Sequence, residues 1–391
     1  MRKIIIGILG AYLLFLSLAW VIQTDTANAV PAFARKYNMS CTTCHAPFPR
    51  LKAYGDEFAG NGFVLKDQDA PRYFVKTGDE HLDLIRDFPL AARFEGFVKH
   101  ETVTGRETDF SSPYNLKLIS GGSLTKNVAY YFYFFLSERG EVAGVEDAYI
   151  MFNDLFNSEL DVYIGQFQVS DPLFKREVRL SYEDYMIYKT KIGESGVNLA
   201  YDRGAMLTYG FPSGTDVIVE VLNGNGIDEA DDFRVYDNDK YKNFAGRISQ
   251  GIGEYLRIGG FGYFGKEKSD YTNEIWMAGG DMTVGNDRVE LNVQYLERRD
   301  DNPEFDAEKP PEVETRGGMA EVIVMPDGER SRWYAVALYN KIDSDIEADD
   351  YESITAHVGH VLRTNIRLTL ENTYDIENEE NRVVAGFVVG F

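Results

Sequence analysis

Apolar and polar residues alternate along the chain from about Phe88 to its end. Val289, Leu291, Val293 and Tyr295 occupy every second position of one stretch, and polar side chains stand between them. A period of two places the apolar side chains on one face of a β-strand and the polar ones on the other. Similar stretches predict sixteen strands. They begin near residues 90, 114, 128, 145, 160, 197, 216, 242, 255, 272, 288, 315, 332, 351, 366 and 381.

The predicted strands are joined by short and long connections in alternation. Joins after even-numbered strands are short, such as 285–287, whereas those after odd-numbered strands are mostly long and polar, such as 168–198. Short turns at one end and long loops at the other are typical of outer-membrane barrels. The terminal apolar strand ending in Phe391 resembles the closing strand of bacterial outer-membrane proteins.

These patterns predict a mainly β fold, an antiparallel barrel of about sixteen strands over residues 89–391. We expect it in the bacterial outer membrane, with outer-membrane lipid around it and both chain ends in the periplasm, because the strand number is even. The alternative is a soluble secreted β protein.

The first 29 residues have the pattern of a secretory signal peptide. Two basic residues precede an apolar run over 4–22, and Ala27 and Ala29 supply a small-x-small cleavage site. We predict a signal peptide over 1–29. The alternative is an uncleaved membrane anchor, since the apolar run is just long enough to span a bilayer.

Residues 30–88 carry the motif Cys-x-x-Cys-His. Cys41 and Cys44 are the only two cysteines in the chain, and His45 follows directly. Two thiols at this spacing can add to the vinyl groups of a haem, and the adjacent imidazole then reaches the iron. We therefore predict one covalent haem c in a small α-helical c-type cytochrome segment. The alternatives are a redox Cys-x-x-Cys and half a zinc site, but no second cysteine pair and no βαβ pattern supports either.

A short helix is predicted after the motif. Leu51, Tyr54 and Phe58 recur at helical spacing within 50–58, and a glycine-rich stretch over 60–62 supplies the stop. We expect the apolar stripe of this helix to face the porphyrin. The alternative is an ordinary apolar core.

The second axial ligand of the haem iron must come from another part of the chain. Alternation along the first and fourteenth predicted strands places His357 inside the barrel and His100 and His360 outside it. His81 precedes the first strand, in the part of the chain most able to fold back on the haem. We predict His81 as the distal iron ligand, with His357 second and an open or methionine-ligated site third.

The charge of the chain limits its partners. The sequence has 40 Lys+Arg against 63 Asp+Glu, a formal net charge of -23, which argues against nucleic acid because phosphate is repelled. Acidic side chains cluster in three predicted loops, at 228–232, 343–350 and 377–380. They would attract divalent cations such as Fe²⁺. The alternative is that these acidic side chains only keep the exposed loops solvated at the cell surface, because their spacing matches no defined metal-binding loop.

Charged side chains are also expected inside the barrel. Five of them share the inward-facing alternation: Arg93, Glu95, Lys99, Arg367 and Glu371. The long connection after the fifth strand contains further charges, at 175–179, and could fold inward as a constriction. A charged lumen is common to polar pores and does not by itself distinguish their functions.

The N-terminal segment resembles a known family over about 35 residues. The matching stretches are Pro31-Ala-Phe-Ala-Arg35, Cys41-Thr-Thr-Cys-His45 and Phe48-Pro-x-Leu-x-x-Tyr-Gly-x-x-Phe-x-x-x-Gly-Phe63. Followed by a barrel, they resemble the outer-membrane fused monohaem cytochrome-porins, whose best-known members are iron oxidases. The resemblance implies a haem-bearing plug in a sixteen-stranded porin. Cys41 and Cys44 would be the thioether anchors and His45 the proximal iron ligand.

The function implied by the resemblance is electron transfer across the outer membrane. Its sharpest form is oxidation of extracellular Fe(II), or another redox metal, with delivery of the electron to a periplasmic c-type cytochrome. Such a chain would be an Fe(II):cytochrome c oxidoreductase. Two alternatives stay open: a solute porin in which the haem segment is a plug or gate, and an outward conduit that reduces extracellular metal.

Overall fold

The computed structural model describes residues 32–46, 50–65, 74–75, 77–82, 84–85, 88–103, 107–142, 144–169, 180–237, 239–306 and 312–391. The predicted signal peptide lies outside the described residues. Before the barrel stand helix α1 (Ala32–Tyr37), a 3-10 turn (Cys41–Thr43), helix α2 (Ala53–Gly60) and two paired two-residue strands (Phe74–Val75 and Leu84–Ile85). In the described part of the chain, no helix is both long and apolar enough to cross a membrane.

Sixteen antiparallel strands form a closed barrel, as the alternation predicts. They are β1 (Leu90–Glu101), β2 (Thr108–Thr125), β3 (Val128–Glu138), β4 (Val145–Leu155), β5 (Leu160–Gln168), β6 (Tyr201–Gly210), β7 (Thr215–Leu222), β8 (Asn243–Ile252), β9 (Leu256–Lys268), β10 (Thr272–Gly285), β11 (Val289–Asp300), β12 (Val313–Val324), β13 (Trp333–Ser344), β14 (Tyr351–Arg363), β15 (Ile366–Asp375) and β16 (Glu380–Gly390). Each strand pairs with the next, and β16 pairs with β1 to close the barrel.

The outer face of the barrel is apolar, whereas the inner face carries polar side chains on most strands and buried apolar ones on others, such as β13. On β11, Glu290, Asn292 and Gln294 are 5%, 1% and 4% exposed, whereas Val289 and Tyr295 are 46% and 51% exposed. A soluble β protein would bury the apolar face, so this arrangement excludes the soluble alternative. An apolar outer surface suits a barrel surrounded by lipid.

The connections follow the predicted asymmetry with three exceptions. Only 126–127 joins β2 to β3, whereas 223–242 joins β7 to β8. Strict alternation is wrong at 269–271 and 376–379, which are short joins after β9 and β15, and at 325–332, a longer join after β12. The latter contains a 3-10 turn, Gly328–Arg330, and contacts the N-terminal segment, which accounts for its length.

The inward loop, residues 180–200 between β5 and β6, folds into the barrel lumen. Leu180, Ile187 and Ile192 are buried, and the loop contains helix α3 (Met186–Lys189). The Tyr185 hydroxyl donates to Glu321 Oε1 on β12 at 2.8 Å. The expected inward fold is therefore present in this part of the connection, while the charged stretch 175–179 lies outside the described residues.

Candidate functional site

The Cys-x-x-Cys-His motif forms one compact turn of backbone. Ser40 Oγ accepts a hydrogen bond from the Thr42 amide at 3.3 Å and starts the 3-10 turn. The amide of His45 then donates to the carbonyl of Cys41 at 2.9 Å. This turn holds the two thiols and the imidazole within five consecutive residues.

The two thiols of the motif are free and partly buried. Neither cysteine is in a disulfide. Burial raises the pKa of the Cys41 thiol and of the Cys44 thiol, and for Cys44 the nearby Cys41 raises the pKa further while Lys52 lowers it. A raised thiol pKa lowers the fraction of thiolate, which is the form that reacts in thiol–disulfide exchange, so it lends no support to the redox alternative. Two reduced, uncharged thiols beside an imidazole are the donor set that covalent haem attachment requires.

Helix α2 packs directly on the motif. The Lys52 amide donates to the Cys44 carbonyl at 2.8 Å, and the Ala46 amide donates to the Arg50 carbonyl at 3.0 Å. A Cβ atom added at Gly55 would lie inside van der Waals contact of the Cys44 carbonyl oxygen. Gly55 therefore allows the helix to approach the motif this closely.

Replacing Gly55 by alanine is expected to destabilise the packing of α2 on the motif by about 1–3 kcal/mol, the usual cost of overpacking. Hydrogen exchange of the amides in 41–60 should become faster. The matched control is Gly60→Ala in the same helix, where an added Cβ meets nothing within 4 Å. Equal exchange rates in the two variants would contradict this role of Gly55.

The plug, residues 32–46 and 50–65, lies in the mouth of the barrel at the short-turn end. The Arg50 guanidinium forms an ion pair with Glu290 at the start of β11, and both side chains are buried. Lys52 Nζ lies 2.7 Å from Glu329 Oε2 in the connection between β12 and β13. These two ion pairs attach one side of the plug to the barrel wall.

The opposite side of the plug contacts β2, β3 and β4. Asn153 Nδ2 donates to the Gly60 carbonyl at 2.7 Å, and the ring of Phe63 stacks on that of Tyr131 with centroids 5.6 Å apart. Gly62 has a φ of 63°, and a Cβ there would lie 2.7 Å from Asn153 Oδ1. The plug is thus held from two sides of the same mouth.

An aromatic cluster forms the core of the plug. The ring of Phe58 lies 5.4, 5.5 and 6.0 Å from those of Phe33, Tyr37 and Phe63. Tyr54 on the predicted stripe is instead 36% exposed. Phe58 therefore packs in the aromatic core of the plug, and the contact of this stripe with a porphyrin stays a prediction.

The structure places His357 inside the barrel, as predicted, but surrounds it with polar partners. Its side chain is fully buried; Nδ1 lies 3.1 Å from Glu371 Oε2, and Nε2 lies 3.4 Å from the Tyr334 hydroxyl. Because both ring nitrogens have hydrogen-bond partners, His357 is poorly placed to bind iron. These hydrogen bonds are the physical reason against His357 as the distal ligand of the haem iron.

The three remaining histidines outside the motif lie at the surface. His81 is exposed, its amide donates to Asp79 Oδ1 at 2.9 Å, and no contact among the described residues joins it to the motif, so its ligand role stays a prediction. His100 Nδ1 lies 3.2 Å from Thr108 Oγ1 at an exposed position. His360 packs on the exposed ring of Trp333 with centroids 4.2 Å apart. The outward placement of the last two is confirmed.

The acidic side chains of the long loops bind loop backbone. Asp231 Oδ1 accepts from the amides of Phe233 and Val235, each at 2.9 Å. Asp350 Oδ1 accepts from the Ser344 amide at 2.7 Å. Over the described ranges, no three His, Cys, Asp or Glu side chains converge as a metal-binding group. These loops therefore contribute negative potential rather than a built metal site.

The charged lumen is confirmed at four buried positions: Arg93, Glu95, Arg367 and Glu371. Sequence reasoning missed Lys117, which is buried with its Nζ 4.4 Å from the ring centroid of Phe135. It also missed Arg50, whose partner Glu290 is 240 positions away in the sequence. The only related signal in the sequence is the alternation along β11, which places Glu290 on the inner face of the barrel.

Comparison with known proteins identifies the fold. No protein-family model and no curated protein matches the chain. Solved structures do match: an anion-selective porin from Comamonas acidovorans has a TM-score of 0.58 and 11% identity, covering 78% of this chain and 99% of that one. OmpT, an outer-membrane protein of Vibrio cholerae, has a TM-score of 0.54 and 13% identity, covering 78% and 99%. Salmonella typhi OmpF has a TM-score of 0.54 and 10% identity, covering 78% and 97%.

The chain has the porin fold. Sixteen strands, an apolar outer face and this fold together confirm the prediction of a bacterial outer-membrane β-barrel. In such barrels the short turns face the periplasm and the long loops face outward. The plug is accordingly at the periplasmic mouth, and the inward loop enters from the extracellular side.

Proposed function

We propose that the chain is an outer-membrane c-type cytochrome-porin that transfers electrons across the membrane. The observation that carries the proposal is the Cys-x-x-Cys-His turn, Cys41 to His45, held in a plug inside the periplasmic mouth of a porin-fold barrel. The sharpest form of this function is oxidation of extracellular Fe(II), with delivery of the electron to a periplasmic c-type cytochrome.

The residues of the plug have separate roles in this proposal. Cys41 and Cys44 would hold a haem through thioether bonds, and His45 would bind its iron. A haem bound there supplies a single one-electron couple, so one Fe(II) gives one electron and the chain needs no acid or base residue. Arg50 and Asn153 fix the height of the plug in the barrel through their contacts with Glu290 and the Gly60 carbonyl.

The filling of the lumen supports electron transfer over free diffusion of solutes. The plug occupies the periplasmic mouth, and the inward loop extends through the lumen above it. Ser195 and Gly196 bind Glu267 near the extracellular end of β9, and the Tyr185 hydroxyl binds Glu321 near the periplasmic end of β12. A barrel filled by two segments suits an insulating sheath better than an open pore.

Anaerobic mixing of the purified oxidised protein with Fe(II) tests the proposal. We expect reduction of the covalent haem in stopped-flow absorbance spectra, followed by reoxidation when an oxidised soluble c-type cytochrome is added. A haem that is neither reduced by Fe(II) nor, once reduced, oxidised by Fe(III) would overturn the iron version. Oxidation by Fe(III) alone would favour the outward conduit.

A solute porin is the second candidate, and one observation favours it. A cavity of about 550 Å³ lies at the periplasmic end between Asp56 of the plug and the wall from β5 to β11. The porin candidate predicts stable open-channel currents in planar lipid bilayers. A bilayer that remains sealed after insertion of the protein would argue against it.

A further inference from the structure

The plug fills the periplasmic mouth unevenly. The contacts described above attach it to β2, β3 and β4 on one side and to β11 and the β12–β13 connection on the other. The cavity of about 550 Å³ lies between these two sets of contacts, along the periplasmic ends of β5 to β11, and Asp56 of helix α2 forms its wall on the plug side. A protein that approaches the plug from the periplasm therefore meets this cavity, here called the acidic cleft.

Carboxylates predominate in the lining of the acidic cleft. Its described lining residues include two arginines, and each is bound to a carboxylate: Arg247 to Asp281 at 2.9 and 2.5 Å, and Arg257 to Asp216. Six lining residues carry a carboxylate: Asp56, Glu159, Asp161, Asp216, Glu254 and Glu290. An excess of one charge around a cleft attracts a surface of the opposite charge.

The rim of the acidic cleft is accessible to a large partner. Glu159 lies in the connection 156–159 and Glu254 in the connection 253–255, and both are exposed. Tyr255, next to Glu254, lines the cleft and is 61% exposed. Aromatic residues are enriched in protein–protein interfaces. The rim can therefore contact a protein that is too large to enter the cleft.

The opposite side of the mouth carries the other sign of charge. Arg330 and Arg332 in the β12–β13 connection and Arg363 at the end of β14 are exposed, and they outnumber the carboxylates Asp327 and Glu329 beside them. β14 is eight strands away from β6 in a barrel of sixteen, so these arginines face the acidic cleft across the mouth. A charged partner is therefore drawn to one side of the mouth and not to the other.

We propose that the acidic cleft and its rim are the docking site of the periplasmic electron acceptor, and that this acceptor is a protein with a positively charged face around its redox centre. The docking site rests on the electron transfer proposed above. It adds where the acceptor binds and which charge selects it.

A binding titration tests the docking site without any electron transfer. The purified oxidised protein in neutral detergent is titrated at low ionic strength with an oxidised basic c-type cytochrome, and the heat of binding is measured. Glu159→Lys combined with Glu254→Lys should raise the Kd about tenfold or more, which corresponds to about 1.4 kcal/mol. Added salt should weaken the binding of the unmodified protein. Unchanged affinity in the double variant would overturn the docking site.

Reversal of two charges at the other end of the barrel is the matched control. Asp228 and Glu229 are exposed in the long extracellular connection 223–242, and Asp228→Lys with Glu229→Lys changes the net charge by the same amount. This variant should bind the cytochrome nearly as tightly as the unmodified protein does. Equal weakening by the two double variants would mean that the net charge of -23, and not the cleft, attracts the cytochrome.

Acetylation of the cytochrome tests the charge of the partner. Acetylation removes the positive charge of lysine. The acetylated cytochrome should bind more weakly than the untreated one, and its affinity should differ little between the unmodified protein and the variant Glu159→Lys with Glu254→Lys. Equal or tighter binding of the acetylated form would overturn the requirement for a positively charged face.

Transfer from a pre-reduced haem distinguishes failure of the docking site from failure of the proposed function. The haem is reduced with dithionite, the excess is removed, and oxidised basic cytochrome is added in a stopped-flow instrument. Glu159→Lys with Glu254→Lys should slow this transfer, and an unchanged rate would overturn the docking site alone. A protein without covalent haem, or with a haem that Fe(II) does not reduce, would contradict the proposed function, whereas the binding titration would still decide the docking site.

Discussion

Replacing both Cys41 and Cys44 by alanine is expected to abolish covalent haem while the barrel still folds. Each thioether needs a cysteine sulphur, which adds to a vinyl carbon while its hydrogen goes to the other, and the chain has no other cysteine to replace them. Haem staining of the denatured protein should therefore fall to background. The barrel should still migrate as a folded species on gels run without heating, since its sixteen strands do not include the motif.

Alanine at neighbouring positions of the same turn gives the matched control. Thr42 and Thr43 lie between the two cysteines and carry no sulphur. Thr42→Ala with Thr43→Ala should keep the covalent haem and its reduction by Fe(II), whereas the double cysteine variant should lose both. Haem that stays bound after denaturation of the double cysteine variant would refute the motif as the attachment site.

Replacing Glu290 by alanine is expected to release one side of the plug. The side chains of Arg50 and Glu290 are only 8% and 7% exposed, so the variant leaves the Arg50 guanidinium buried without its carboxylate partner. Breaking a buried ion pair in this way costs about 3–5 kcal/mol. Hydrogen exchange and limited proteolysis of the plug should both become much faster, with little change in the strands far from β11.

The second ion pair of the same face supplies the control. Lys52 and Glu329 are 20% and 50% exposed, and an exposed pair contributes only about 0–1 kcal/mol. Glu329→Ala should therefore leave exchange of the plug nearly as slow as in the unmodified protein. If Glu329→Ala loosens the plug as much as Glu290→Ala does, burial of the Arg50 pair is not what holds it.

Features with a local sequence signal were predictable in this chain. A strand leaves a two-residue period in its own sequence, so the number of strands and the inward side chains of β11 and β15 follow from it. The haem motif is equally local, because Cys41, Cys44 and His45 lie within five positions. The number of strands is confirmed, and the role of the motif in haem binding stays a prediction.

Errors arose where local alternation and tertiary structure disagree. The sequence predicts the sixth strand near residue 197, but Val197 and Leu199 are buried within the inward loop, and β6 begins at Tyr201. The second strand begins at Thr108 rather than near 114. Bulges in the pairing of β2 with β1 and with β3 shift its register. Because of these shifts, the two-residue period does not show that Lys117 points inward.

Contacts between distant segments had no signal in the sequence. Alternation placed His357 inside the barrel, but it did not reveal Glu371 and Tyr334 on the neighbouring strands as partners of its ring. The same holds for Arg50 and Glu290, which meet only because the plug enters the barrel. Such contacts depend on how whole elements are arranged in space.

The seam between β1 and β16 sets the order in which the molecule can be assembled. Phe391, the last residue, exchanges two backbone hydrogen bonds with Ala92 near the start of the first strand, at 2.7 and 2.8 Å. The ring of strands therefore cannot close until β16 has been made and exported. Because the plug precedes all sixteen strands in the sequence, it has been made before this seam can close.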